Sequence, residues 1–168
     1  MGVNDRMRFR VFAEFIRETY PRGAKVADVA GSRGSLSWHL RELGFHPTIV
    51  DVRDSRHPRW VHRALRKDSR DLGRLVRIPR IVAKVQNMDL SGFDLIVGLH
   101  PDEATEHIVR AALACGKDFA VVPCCVFPLD GLKRSKEGWR AYLASLSPDI
   151  RTAEIPIDGS NIVLYRAR

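Results

Sequence analysis

The stretch Val26-Ala27-Asp28-Val29-Ala30-Gly31-Ser32-Arg33-Gly34 decides the fold of this chain. Residues 25–30 have the apolar character of a buried strand, and small residues then form a loop. Three leucines recur on one helical face after the loop, and Gly44 ends that helix. Small residues let the backbone approach a ligand closely, and the N–H groups of the next helix point towards the loop. The stretch therefore predicts a strand–loop–helix unit with a ligand site at its loop.

Outward from this unit, strands and helices alternate along the whole chain. The predicted strands are residues 25–30, 47–52, 81–85, 93–99, 119–125, 151–157 and 161–166. Further helices are predicted at residues 8–19, 101–116 and 135–146. Alternation of this kind predicts an α/β fold with a doubly wound, mostly parallel sheet of seven strands. Asp158-Gly159-Ser160 between the last two strands predicts a C-terminal β-hairpin.

Length and composition predict one domain over residues 1–168. The chain has 168 residues and 45% hydrophobic residues, which suits one domain with its own core. Within it we distinguish an N-terminal helical segment, residues 1–22, and a basic crossover segment, residues 53–80. A core this short is compatible with a homodimer or a partner protein.

Asp51 ends the second strand, 17 residues after Gly34. A carboxylate at this place can accept hydrogen bonds from both ribose hydroxyls of a nucleoside. The glycine pattern of dinucleotide sites fails, because Arg33 and Leu36 occupy its second and third glycine positions. A nucleoside cofactor other than a dinucleotide is therefore favoured.

These residues resemble the first motif of the class I S-adenosylmethionine-dependent methyltransferases, an acidic residue followed by glycines at alternate positions. Asp28-x-Ala30-x-Ser32-x-Gly34 matches it with Ala and Ser in place of two glycines. The resemblance implies the Rossmann-like methyltransferase fold, S-adenosyl-L-methionine as cofactor and methyl transfer as the reaction. It also implies the cofactor contacts, which are Asp28, Ala30, Gly31, Ser32 and Gly34 beside the methionine moiety, Asp51 at the ribose, and Met88 and Asp89 at the adenine. The altered loop leaves open a catalytically silent module that only binds RNA or protein.

Two further segments follow strands four and five, Gly98-Leu99-His100-Pro101-Asp102 and Val122-Pro123-Cys124-Cys125. The carboxyl ends of both strands are expected to open onto one cleft. The pair resembles a subgroup of methyltransferase-like proteins with Leu-His after strand four and Cys-Cys after strand five. That subgroup includes a tRNA ribose 2′-O-methyltransferase. In it Ala-Cys-Gly often follows the His, whereas this chain has Pro101-Asp102-Glu103.

His100, Cys124 and Cys125 are the candidate catalytic residues. A neutral His100 can take a proton from a hydroxyl or amine that attacks a methyl group. A cysteine can instead attack a pyrimidine ring. The alternatives are structural: His100 as the cap of the helix at Pro101, and the cysteines as core residues. Zinc ligation by the three cysteines and a histidine has poor spacing, so no metal site is predicted.

The positive charge is concentrated in residues 53–80, which carry ten Lys or Arg and three acids, while the whole chain has a formal net charge of +8. Trp60, His57 and His62 lie within the segment and offer stacking surfaces for bases. We predict that Arg63, Arg66, Arg70 and their neighbours bind RNA phosphates. The alternatives are a crossover helix with a basic outer face and a small-molecule methyltransferase whose basic segment is incidental.

Cysteine usage and hydropathy bear on the compartment. Three cysteines, two of them adjacent, form no disulfide framework, which favours a reducing compartment. The N-terminus lacks the apolar region of a signal peptide, and Pro123 and Pro128 interrupt the longest apolar run. We therefore expect a cytoplasmic protein with no membrane span.

Overall fold

The computed structural model describes residues 3–168 and contains seven strands and five α-helices in that range. The strands are β1 (Lys25–Val29), β2 (His46–Asp51), β3 (Arg80–Val82), β4 (Leu95–Leu99), β5 (Asp118–Val122), β6 (Arg151–Glu154) and β7 (Ile162–Arg166). The helices are α1 (Val3–Thr19), α2 (Ser35–Glu42), α3 (Arg59–Asp71), α4 (Thr105–Ala114) and α5 (Lys136–Ser145). Two 3₁₀ turns, Val85–Asn87 and Asp102–Ala104, follow β3 and β4.

The strands form one sheet in the order β3-β2-β1-β4-β5-β7-β6. Strands β1 to β5 pair in parallel, whereas β7 is antiparallel to both β5 and β6. The predicted doubly wound, mostly parallel sheet with a C-terminal hairpin is therefore confirmed. Strand order reverses between β1 and β4, where ligands of such sheets bind beyond the carboxyl ends of the strands.

Side chains that alternate along the strands bury a core on each face of the sheet. On one face Val26 packs with Phe12 of α1 and with residues of α2. On the other face Ile96 packs with Trp139 of α5 and with residues of α4. Helix α3 lies against α2 through Val61, in a third, smaller cluster. Helices on both faces explain why the central strands are apolar throughout.

Strand β3 departs from the sequence prediction. The β-branched run at residues 81–85 predicted a strand, but Val85 lies in a 3₁₀ turn and only Arg80–Val82 pairs with β2. Ile81 and Val82 are 37% and 56% exposed. The physical reason is that β3 is an edge strand and only a 3₁₀ turn connects it to β4, so no helix covers its outer face.

Two helix starts also differ from prediction. Helix α1 begins at Val3 rather than at residue 8, and α4 begins at Thr105 rather than at Pro101. Asp102 has φ +48°, which an α-helix cannot include, so the chain first makes a 3₁₀ turn. The acid in the first turn of α4 is Glu106. Among the described residues, no helix has the length and apolar character needed to span a membrane.

Candidate functional site

A cleft of about 830 Å³ opens at the carboxyl ends of β1, β2, β4 and β5. Its walls are the loop after β1, residues 50–53 at the end of β2, residues 83–86 after β3 and residues 99–104 at the end of β4. This volume lies within the range of natural ligand pockets, roughly 300–1,000 Å³. The cleft lies at the switch in strand order, as the predicted ligand site requires.

The loop between β1 and α2 has left-handed backbone at alternate residues. The φ angles are +54° at Ala30, +46° at Ser32 and +80° at Gly34. These are the positions where the resembled motif has its glycines, because residues with a Cβ adopt this conformation at a cost. A Cβ at Gly31 would lie 2.8 Å from the carboxyl of Asp28, so the loop also needs a glycine there. Ala30, Gly31 and Ser32 line the cleft, whereas Gly34 is the N-cap of α2 and lies outside the lining.

Asp28 is buried where β1 meets α2 and lines the base of the cleft. Its Oδ2 accepts hydrogen bonds from Ser37 Oγ at 2.6 Å and from Ser37 N at 3.1 Å. Burial raises the pKa of Asp28 to about 7, against the opposing effect of the Ser37 hydrogen bonds, and the nearby charge of Asp51 adds to the rise. Asp28 therefore links the end of β1 to α2, across the loop between them.

Asp51 also lines the cleft and is 9% exposed. Its Oδ2 accepts from Ser32 N at 2.8 Å, and its Oδ1 accepts from Arg53 N at 2.9 Å. Each carboxylate oxygen keeps a second lone pair for a ligand. Asp51 thus orients the loop and can still accept hydrogen bonds from ribose hydroxyls.

Arg80 is a site residue that sequence reasoning missed, since it was counted only within the basic segment. Its Nη2 donates to Ser32 O at 2.6 Å, and its Nη1 donates to Arg53 O at 3.1 Å. The side chain is only 13% exposed. Arg80 therefore joins the loop after β1 to the loop after β2. It is 48 residues from Ser32 and 27 residues from Arg53 in sequence, so local patterns do not reveal this role.

Met88 and Asp89, expected at the adenine, lie outside the cleft lining. Met88 packs against the core on the α4 face, and exposed Asp89 accepts hydrogen bonds from Ser91 N and Oγ. The cleft lining ends within the 3₁₀ turn Val85–Asn87, which immediately precedes these residues. The wall is formed by Val85 and Gln86 instead.

His100 lines the cleft at the end of β4 with φ +53°. Its backbone N–H donates to Val122 O at 3.1 Å, and its ring Nε2 lies 2.9 Å from Ser160 O in the hairpin loop. Because a carbonyl only accepts, this contact assigns the proton to Nε2 and leaves Nδ1 with a lone pair. Burial lowers the pKa of His100, which keeps the ring neutral at pH 7. The ring contacts the hairpin rather than capping α4.

Cys124 and Cys125 are free thiols outside the core. The Sγ of Cys124 donates to Asp102 Oδ1 at 2.9 Å, while exposed Cys125 lines the cleft. Burial, together with the hydrogen bond to Asp102, raises the pKa of Cys124 to about 12. Cys124 is therefore a protonated thiol at pH 7 and a weak nucleophile. Cys115 follows α4 and lies outside the cleft lining.

A basic groove of about 640 Å³ adjoins the cleft on the side of α3. Its lining comprises Arg33, Pro58, Arg59, Trp60, Arg63, Ala64 and Lys67. Arg33 and Pro58 line both the cleft and this basic groove, so the two are continuous. Of the three predicted RNA contacts only Arg63 lies in the groove, whereas Arg66 and Arg70 are exposed elsewhere on α3.

Trp60 and His57 have structural contacts as well as a place near the groove. The Trp60 ring packs edge-on against Trp38 with centroids 6.3 Å apart, and His57 Nδ1 lies 3.0 Å from Arg33 O. These rings therefore help to hold α3 and the loop after β1, which limits their freedom to stack on bases.

Comparisons with known proteins identify relatives in sequence and in structure. No protein-family model matches the chain. The chain is 31% identical over 112 residues to a probable tRNA (uracil-O(2)-)-methyltransferase of Caenorhabditis elegans. The match covers 66% of this chain and 19% of that protein, so the chain spans about a fifth of the length of this curated relative.

Solved methyltransferase structures share the fold at low sequence identity. Magnesium protoporphyrin IX methyltransferase from Synechocystis PCC 6803 with bound SAH matches 99% of this chain and 84% of its own, with TM-score 0.62 and 16% identity. The ribosomal protein L11 methylase from Lactobacillus delbrueckii subsp. bulgaricus matches 100% and 81%, with TM-score 0.59 and 15% identity. A Pyrococcus abyssi tRNA (uracil-54, C5)-methyltransferase in complex with S-adenosyl-L-homocysteine matches 92% and 36%, with TM-score 0.54 and 15% identity. The chain therefore has the fold of the class I S-adenosylmethionine-dependent methyltransferases, as its sequence predicts.

Proposed function

We propose that this chain is an S-adenosylmethionine-dependent methyltransferase that acts on RNA. The observation that carries the proposal is the continuity of the nucleoside-sized cleft with the basic groove, through Arg33 and Pro58. The cleft suits a cofactor and an acceptor group, and the groove suits the phosphates that flank the acceptor. A small-molecule methyltransferase needs no such groove.

The residues of the cleft fit S-adenosyl-L-methionine. Asp51 has lone pairs for the ribose hydroxyls, and the left-handed turns at Ala30 and Ser32 keep the backbone close to the methionine moiety. Val85 and Gln86 replace Met88 and Asp89 as the proposed adenine contacts. When bound, the cofactor supplies an electrophilic methyl group. Ala30 and Ser32 adopt the left-handed conformation of the glycines that they replace. The altered loop is therefore weaker support for a catalytically silent module than the sequence alone indicated.

His100 is the proposed general base. Its Nδ1 can accept the proton of the attacking hydroxyl or amine, while the contact of Nε2 with Ser160 O fixes the tautomer. The lowered pKa of His100 keeps this nitrogen unprotonated. The protonated thiol of Cys124 makes attack on a pyrimidine ring by that residue the weaker route.

RNA as the substrate is supported by the charges of the basic groove. Arg59, Arg63 and Lys67 are exposed, and within residues 3–168 none of them pairs with an acidic side chain. Lys and Arg side chains without an acidic partner in the protein contribute most to the affinity for nucleic-acid phosphates, because their binding releases counterions. The tRNA methyltransferase name of the C. elegans relative supports the same substrate class. Three free thiols further support a reducing compartment such as the cytoplasm.

Calorimetric titration with S-adenosylmethionine and S-adenosylhomocysteine tests the cofactor site. We expect micromolar binding by the wild type, strong weakening in Asp51→Ala, and wild-type affinity in Asp89→Ala, which removes an exposed carboxylate outside the cleft. Circular dichroism verifies that both variants fold. Absence of binding by folded wild-type protein would remove the enzymatic proposal.

A pair of charge reversals on α3 tests RNA binding. Arg63→Glu with Lys67→Glu alters the basic groove, and Arg66→Glu with Arg70→Glu makes the same change of charge outside it. Filter binding to single-stranded RNA over a salt series should show a larger loss of affinity for the groove pair, with a shallower dependence of log K on log[salt]. Equal losses for the two pairs would contradict a specific groove.

A further inference from the structure

Three potential metal ligands converge where β4 and β5 end. One ligand atom each from Asp102, Cys124 and Cys125 lies within 4.8 Å of the other two. Cys124 Sγ and Asp102 Oδ1 are already 2.9 Å apart. Asp102 and Cys125 both line the cleft, so the cluster faces the space beside His100.

The backbone holds these side chains in place from both sides. Asp102 has φ +48°, and its carbonyl accepts a hydrogen bond from Thr105 Oγ1 at 2.8 Å. The loop that carries the cysteines is fastened further on, where Leu129 N donates to buried Glu106 Oε2 at 2.8 Å. Adjacent residues of a regular strand point to opposite faces. Cys124 and Cys125 converge because β5 ends at Val122 and the chain bends at Cys125.

We propose that Asp102, Cys124 and Cys125 bind one thiophilic divalent cation such as Zn²⁺. Thiolate and carboxylate are both ligands of zinc, and a site with three protein ligands leaves a fourth position open. The sequence argued against zinc because Cys115, Cys124, Cys125 and a histidine are poorly spaced. In the structure the third ligand of the set is Asp102 rather than the distant Cys115. Asp102 is 22 residues from Cys124, so the spacing of cysteines and histidines does not identify it.

The open position of this ion would face the cleft. A cation there takes an oxygen ligand from water or from an acceptor group and lowers the pKa of a bound hydroxyl. The thiol protons of Cys124 and Cys125 leave for solvent when the ion binds, as is general for cysteine ligands. An ion bound there would account for the contact between the half-buried Cys124 thiol and the Asp102 carboxylate beside the cleft.

Metal titration of the complete chain without cofactor tests the site. Zn²⁺ is titrated against a chromophoric chelator, and Co²⁺ is added separately as a probe because thiolate ligands give it a charge-transfer absorption. We expect one equivalent of tightly bound metal and a thiolate–cobalt band. Cys124→Ser, Cys125→Ser and Asp102→Asn should each weaken binding by about 100-fold or more, beyond the 10–100-fold typical of residues that only support ligands. Cys115→Ser should bind as the wild type does.

Two results would overturn the proposal: no thiolate–cobalt band in the folded wild type, or equal loss in Cys115→Ser and Cys124→Ser. Circular dichroism on the same samples shows that each variant is folded. Because S-adenosylmethionine is absent, the outcome is independent of the proposed methyltransferase activity. Wild-type protein that binds the cofactor but no metal would remove this metal site and leave the proposed function standing.

Discussion

The loop after β1 and the segment after β4 occupy equivalent places in the fold but are held in different ways. Each ends a central parallel strand, lines the cleft and contains two non-glycine residues with left-handed backbone: Ala30 and Ser32 in the first, His100 and Asp102 in the second. The first is fastened through the backbone of Ser32, whose N–H donates to Asp51 and whose carbonyl accepts from Arg80 of β3. The second is fastened by contacts with Ser160 and Cys124, 60 and 22 residues away in sequence.

The comparison shows which contacts maintain strained, left-handed backbone around the cleft. Left-handed backbone costs non-glycine residues about 1–2 kcal/mol each, and it persists only where the surroundings fix it. After β1 the fixing contacts shape the loop that is proposed to hold the cofactor. After β4 they present an imidazole and a carboxylate to the cleft, where chemistry is expected.

The largest effect is expected at the second segment, from His100→Asn. Asn tolerates φ near +53°, so the fold should survive while the imidazole is lost. If His100 is the base, transfer of labelled methyl groups from S-adenosylmethionine to total RNA should fall by about 10²–10⁴-fold. Cofactor affinity measured by calorimetry should stay at the wild-type value, and unchanged transfer would show that His100 is not the base.

Asp28→Asn probes the first loop through the pH dependence of stability. The unfolded Asp28 carboxyl loses its proton near its ordinary pKa of 3.8, whereas the folded one does so at about 7. The folded wild type therefore loses stability as pH rises from about 4 to 7, and Asn does not ionise. The stability of Asp28→Asn relative to wild type, followed by Tm, should therefore rise over this range. The upper limit of the change in unfolding free energy is about 4 kcal/mol, from 1.36 kcal/mol per pKa unit. A Tm difference that is the same at pH 4 and pH 8 would contradict this.

Glu106→Ala tests how the loop of the two adjacent cysteines is anchored. Buried Glu106 accepts from Leu129 N, Arg110 Nε and Tyr142 Oη, and removing it leaves these donors without their acceptor. We expect a loss of about 2–3 kcal/mol in the free energy of unfolding, measured with urea. Glu137→Ala, a surface acid on α5, is the control and should change it by less than about 0.5 kcal/mol. Similar losses in both variants would show that Glu106 is not an anchor.

Ala30→Gly should have the smallest effect and the opposite sign. Glycine removes the penalty of φ +54° but loses more backbone entropy on folding, so a gain of up to about 1 kcal/mol is expected. Ala64→Gly on α3 is the matched change in helical backbone and should cost about 1 kcal/mol. Thermal unfolding measures both, and a destabilised Ala30→Gly would mean that the Ala30 methyl group contributes packing.

Local patterns in the sequence predicted the sheet and the first loop. The apolar run before Ala30 and the small residues after it act over a few residues, and Asp51 follows from the length of one β–α–β unit. The bounds of strand β3 were wrong because its β-branched run continues to Val85, which lies in a 3₁₀ turn. Whether a helix covers Ile81 and Val82 depends on the whole connection to β4 and cannot be predicted from those residues.

The contacts that complete the site could not be predicted, because they join distant segments. Arg80 carries the same charge as its exposed neighbours, and only the fold places it against Ser32 O. Met88 and Asp89 lie outside the cleft lining, beyond a single 3₁₀ turn that the sequence of Val85–Asn87 does not predict. Asp102 meets Cys124 through a bend whose positive φ angles fall on residues other than glycine.

The short edge strand β3 has a consequence for how copies of the chain meet. An exposed strand edge is a template on which another polypeptide can add a strand, which leads to aggregation. Here only Arg80–Val82 pairs with β2, and Pro79 immediately before it has no N–H to donate. An incoming strand would therefore find few backbone partners at this edge, so Ile81 and Val82 can stay exposed without extending the sheet between molecules.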